Sequence, residues 1–327
     1  IATFFTKFGL YSYIFILPLF LLLFYFINKL LLLGSKTKII NTDQLNLIIF
    51  KKNNKIIKTF TFISFIILSA TMFSGITTSL NLTEISVKYI VVLSIIVFVI
   101  SVIVYKDIKS ITNLCSIIVP IILLAILFVS LSNINFPLNN ILTTNIIILP
   151  YNVLTYVCRN IFLSYFVISK SSYGLNEKQC KRISILSSLI LCIIITVIIS
   201  TELSNVGIID FSMPFLYLAQ KNTIIYIFYF ICLQFAIITT LTSTLVTLKS
   251  FFNFKNKFLN TLFPCIICAV ISFIKFDIFV EYLYPIIGMF GFYLIFYLVP
   301  LKFSFQNSNN NIHQTCNKTQ NNCATHN

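Results

Sequence analysis

Charge is scarce in this chain of 327 residues: 9% of them are Asp, Glu, Lys or Arg, against about 25% in an average soluble domain. Because 58% are hydrophobic and the mean hydropathy is +0.97, a soluble globular fold is excluded. Acid is scarcer still, with eight Asp and Glu against 23 Lys and Arg, and no carboxylate falls in the middle of an apolar run. The two histidines, His313 and His326, both lie in a polar tail. Apolar runs without these residue types lack the usual acids, bases and nucleophile partners of a membrane hydrolase or acyltransferase. They also lack the commonest proton relay. No secretory signal is visible, and spans that direct their own insertion require none.

What is present is a series of nine apolar runs, at roughly 11–33, 59–80, 86–105, 111–131, 146–169, 183–201, 223–248, 258–274 and 279–299. The net charge of +15 is carried largely by lysines in short loops between these runs, where it sets topology rather than binding nucleic acid. The loops around 34–58, 106–109, 170–182 and 249–257 are basic, whereas the alternate loops hold Glu84, Glu202, Asp210, Asp277 and Glu281. This alternation predicts a multi-pass protein of the cell membrane with a cytoplasmic C-terminus and residue 1 outside. The opening residues Ile1 to Gly9 read as the end of something apolar, so a truncated upstream helix and ten spans in all are expected. The sequence divides into a polytopic domain over 1–303 and a polar, Asn-rich, disordered tail over 304–327.

Six of the nine cysteines lie within runs, where cysteine behaves as a small apolar residue. Cys265 and Cys268 form a C-x-x-C without a thioredoxin-like context. In the tail, His313, Cys316, Cys323 and His326 are zinc ligand types, but the six residues between the pairs are fewer than a finger normally uses. No cofactor or metal is expected beyond a coupling Na+ or H+.

The run from 146 to 169 is interrupted. Pro150 cannot donate a backbone hydrogen bond, and its ring is expected to displace the carbonyl of Ile146. It is followed by Tyr151, Asn152, Thr155, Tyr156, Arg159 and Asn160, and the polar members from Asn152 onward fall within one arc of a helix. Arg159 stands 11 residues before Lys170, about 16 Å along a helix and too deep for easy snorkelling. A solitary cation at that depth either caps carbonyls freed by the break or meets a substrate carboxylate. Further polar groups lie on two other runs. Gln234, Thr239, Thr242 and Ser243 could line a solute path or coordinate sodium, although such hydroxyls often bond to their own helix. Ser74 belongs to a patch from Ser69 to Ser79 rich in small residues, which close helix packing explains equally well. The segment Met213 to Ala219 begins with a proline-started apolar stretch suited to a short re-entrant or surface helix.

Four of these patches together resemble the YkvI-like membrane proteins, a group related to the amino acid, polyamine and organocation transporter superfamily. They are Phe4-Phe5-Thr6-Lys7-Phe8-Gly9, Ser69 to Ser79, the Tyr151-Asn152 helix, and Met213-Pro214-Phe215-Leu216-Tyr217-Leu218-Ala219. The resemblance implies a LeuT-like bundle of two inverted five-helix repeats with broken first and sixth helices. The Pro150 helix is then the sixth. The 223–248 span is the eighth, which in sodium-coupled relatives supplies hydroxyls to an ion site, and the glycine-rich first helix precedes the chain.

The expected function is secondary transport of a small organic solute such as an amino acid, by alternating access. The substrate residues would be Tyr151, Asn152, Thr155, Tyr156, Arg159, Ser74 and Gln234, and the ion residues Thr239, Thr242 and Ser243. The alternative is a transporter-shaped sensor, such as a germinant-receptor permease subunit.

Overall fold

In a computed structural model of the chain, the described residues are 1, 4–37, 39, 42–50, 54–81, 96, 99, 109–135, 138, 145–209, 211–249, 251, 252, 254–256 and 258–301. The third apolar run, apart from residues 96 and 99, lies outside them, as do Asp210 and the tail with its Cys and His pairs. The described residues form helices and no strand. A 3-10 segment, Thr6–Phe15, leads into α1 (Ile16–Lys36). There follow α2 (Thr42–Phe50), α3 (Asn54–Asn81), α4 (Lys109–Leu131), α5 (Leu149–Ser171), α6 (Glu177–Ser204), α7 (Pro214–Ala219), α8 (Thr223–Lys249) and α9 (Leu259–Ile271). The last, α10 (Phe276–Leu298), contains a π-helical stretch over Phe279–Leu283.

Six of these helical stretches are long and apolar enough to cross a bilayer: Thr6–Lys36, Lys55–Leu80, Ile146–Ser171, Glu177–Ser204, Thr223–Lys249 and Phe276–Leu298. Ile118–Leu131 and Leu259–Ile271 are shorter apolar helices. The result is an all-helical bundle suited to a lipid bilayer. Its ends are distinguished by their ties. At the end where the acidic loops lie, Ser204 and Asn205 donate to the carbonyls of Asn135 and Asn133, and Ser212 donates to Asp277. At the basic end, α2 lies against α3 and α10, and Lys29 donates to the carbonyl of Val299, capping the last helix.

The structure corrects three expectations. The basic stretch 34–58 is not a plain loop, because Leu45, Ile49 and Phe50 recur at helical spacing and bury α2. Glu202 is not a loop residue: it belongs to α6, is buried, and accepts a hydrogen bond from Thr6. Pro150 does not interrupt a helix but starts one. It occupies the first turn of α5, where a missing N–H costs nothing, after a 3-10 turn whose N-cap is Asn145. The Ile146 carbonyl is therefore not displaced and accepts from Leu149 N–H.

Three glycines set the spacing of the largest core, which joins the N-terminal segment, α1, α2, α5, α6 and α10. A Cβ on Gly34 would collide with the Ser169 carbonyl, so α1 crosses α5 at close range. Cβ atoms on Gly288 and Gly291 would collide with Thr155 and with the Cys158 carbonyl, which brings α10 equally close to α5. A fourth glycine turns the chain: Gly9, at φ 62° and ψ −144°, takes a conformation that L side chains avoid and lets Phe4, Phe5 and Phe8 fold back into the core. Gly9→Ala is expected to destabilise the protein by about 1–2 kcal/mol, read as a lower midpoint in a thermal unfolding assay in detergent.

Candidate functional site

The polar arc of α5 faces the core formed with the N-terminal segment and α10. Arg159 stands ten residues from the start of α5 and twelve from its end, midway through the span. Its guanidinium carbon lies 5.0 Å from the ring centroid of Phe4, 5.1 Å from Tyr156 and 4.7 Å from Tyr284. Each ring offers its negative face to the cation. Tyr156 is in turn held edge-on by Phe5 at 5.3 Å and Phe4 at 5.8 Å.

Two irregularities of sequence and one regular helical turn build this cage. The Gly9 turn presents Phe4 and Phe5. One helical turn of α5 separates Thr155 from Arg159 and sets Tyr156 beside it. On α10, Pro285 can neither donate to the ladder nor tolerate the Glu281 carbonyl beneath it, and the chain responds by widening into the π stretch. The Tyr284 N–H accordingly donates to the Phe279 carbonyl five residues back, and the Tyr284 ring turns onto Arg159.

The cage satisfies the charge only in part. Lys58 pairs with Asp43 at 3.3 Å at the basic end, whereas Arg159 has no carboxylate partner among the described residues. Three ring faces pack on its guanidinium, while the residue retains some accessible surface. One turn earlier on the same face, the Thr155 hydroxyl is buried with no hydrogen-bond partner, its methyl group against Gly288.

The other residues expected in the site are dispersed. Tyr151 is exposed and stacks on Phe292, 6.4 Å away. Asn152 lies partly buried one turn before Tyr156. Gln234 donates to Ser79 and braces α8 on α3, at 2.7 Å. Ser74 donates to the Ile274 carbonyl and lines a cavity of about 260 Å³ at the acidic end. A cavity of about 290 Å³, lined in part by Lys7, Glu202, Asp277 and Glu281, adjoins it through Ser212, Phe276 and Asp277. Ile1 and Lys7 line that second cavity, while Phe4 of the same segment covers Arg159. The hydroxyls of α8 do not converge: Thr242 is buried and Ser243 exposed. Thr239, Thr242 and Ser243 each donate to a carbonyl of their own helix, the local pattern that makes such residues at home in apolar helices.

Of the residues clustered here, the sequence pointed to Tyr156 and Arg159 but not to Phe4 and Tyr284. Pro285 was the available signal for Tyr284, since a proline inside an apolar run forces some local rearrangement. A scan against protein-family models, a search of the curated proteins and a search of the solved structures found no match to this chain.

Proposed function

We propose that the protein is a secondary transporter of a small organic solute bearing a carboxylate, with an amino acid as the simplest case, and that Arg159 is the group that receives the carboxylate. The observation that carries this reading is a guanidinium midway through a membrane helix, ringed by three aromatic side chains and lacking an acidic partner. A charge at that depth is costly, and one left without a counter-ion is suited to a ligand that supplies it. The unpartnered Thr155 hydroxyl one turn away offers a second polar contact. The aromatic rings would flank an apolar solute body while the guanidinium takes the carboxylate in two parallel hydrogen bonds.

The packing supports a LeuT-like arrangement. If α1 is counted as the second helix, α1 lies along α6 and α3 along α8. An inverted repeat of five helices relates its second to its seventh and its third to its eighth member, so both contacts join symmetry-related pairs. Two stretches of irregular backbone, at Gly9 and at Phe279–Leu283, adjoin the Phe4 and Tyr284 rings that pack on Arg159. At membrane depth such backbone is tolerated where it lines a protein-enclosed site. In this reading the basic end faces the cytoplasm, and coupling to Na+ or H+ supplies the driving force.

Uptake of radiolabelled amino acids into proteoliposomes containing the full-length protein tests the reading. Saturable accumulation against a gradient is expected. Saturable binding with no accumulation under any imposed ion gradient would instead identify a transporter-shaped sensor.

A further inference from the structure

The two ends of the bundle differ. Two adjoining cavities lie at the acidic end, whereas on the basic side of Arg159 aromatic side chains pack on one another. Phe162 and Tyr165 follow Arg159 on α5 by three and six residues, about 4.5 and 9 Å along the axis. Phe162 meets Phe290 at 6.4 Å, and Phe60 stacks on Phe290 at 4.3 Å with planes 8° apart. Beneath this layer sits α2. Its inward face, Leu45, Asn46, Ile49 and Phe50, is at most 2% exposed. Asn46 accepts a hydrogen bond of 2.8 Å from the Tyr165 hydroxyl, both groups being buried. Phe50 stacks on Tyr293 at 5.7 Å with planes 7° apart and meets Tyr297 at 5.3 Å.

We infer that α2 is the gate on the basic side of the Arg159 site: while it is seated the site is shut from that side, and release there requires the Tyr165–Asn46 bond and the Phe50 stack to part. Three physical points support this. A helix of nine residues is marginal alone, so its position depends on these tertiary contacts. The hydrogen bond that joins Asn46 to α5 is between neutral groups, strong enough to help seat the helix and weak enough to break on a functional timescale. Its outer face carries exposed Leu47 and Ile48, apolar groups that can stay in the lipid interface when the inner face lifts. A further tie, the exposed Lys58–Asp43 pair, contributes little holding energy.

The inference rests on the transport reading for its purpose but not for its test, which reads access rather than uptake. The full chain carrying Asn160→Cys, one position after Arg159 and partly buried, is placed in membrane vesicles of either orientation and treated with a membrane-impermeant maleimide. Modification at position 160 is quantified by peptide mass mapping. Adding Asn46→Ala or Tyr165→Phe is expected to raise labelling from the basic side about two- to tenfold, the range set by loss of one buried neutral hydrogen bond. Labelling from the acidic side should not rise. Tyr165→Phe removes a single oxygen, so it retains the fold if the alanine variant does not. Unchanged labelling in the folded variants, or an equal rise from both sides, overturns the gate. A changed labelling rate alongside absent uptake would leave α2 as a lid over a sensor's binding site and count against transport alone.

Discussion

Replacing Arg159 with glutamine is expected to weaken binding of small carboxylates about 30-fold or more while leaving the corresponding amides within a few-fold. Removing one partner of a buried charged hydrogen-bonded pair costs about 2–5 kcal/mol, and each 1.4 kcal/mol is tenfold in affinity. An amide has no charge to lose, so its binding depends on the aromatic walls and the Thr155 hydroxyl, which the substitution leaves in place. Competition binding to the purified protein, with matched acids and amides, makes the comparison. Equal loss for both would mean that Arg159 only props Phe4, Tyr156 and Tyr284 apart. Lysine should not rescue: a point charge on a flexible stem cannot reproduce a planar fork held between rings.

The second large effect is expected at Gly291. Gly291→Leu drives a side chain into the Cys158 carbonyl, a backbone group that cannot swing aside. Separating α10 from α5 to make room would cost about 3 kcal/mol or more. It would also withdraw Tyr284 from Arg159, since both glycine contacts and Tyr284 sit on the same helix. The midpoint of thermal unfolding should fall sharply, and carboxylate affinity with it. Gly291→Ala should give a smaller drop in the same direction. A leucine variant as stable as the parent would mean that the α5–α10 crossing is not close-packed.

Six of the nine apolar runs coincide with helices long and apolar enough to cross a bilayer, legible because hydropathy over about 20 residues is a collective property that tolerates local error. Charge alternation between the loops gave the two ends, and the ties of Ser204, Asn205 and Ser212 at one end accord with it. The short helix begun by Pro214 was also legible, from its proline. What the sequence hid was helical structure inside a charged stretch. Six lysines between 34 and 58 masked the four-residue face of α2, whose buried Asn46 has meaning only opposite Tyr165. Pro150 was misread because a proline starts a helix as readily as it breaks one, and the flanking pattern does not distinguish the two. In the site, the α5 members follow from helical arithmetic. Phe4 and Tyr284 do not, because they reach Arg159 through a glycine turn and a π stretch that periodicity cannot anticipate. The same limit explains Ser74 and Gln234, polar residues whose partners turned out to be a loop carbonyl and a neighbouring helix.

Transport through Arg159 is tested most directly by uptake of a radiolabelled amino acid by the full-length protein and its Arg159→Gln variant, side by side in proteoliposomes at matched protein density. Accumulation that saturates in the parent and falls at least tenfold in the variant at subsaturating solute is the predicted result. Accumulation by the variant equal to that of the parent would contradict it.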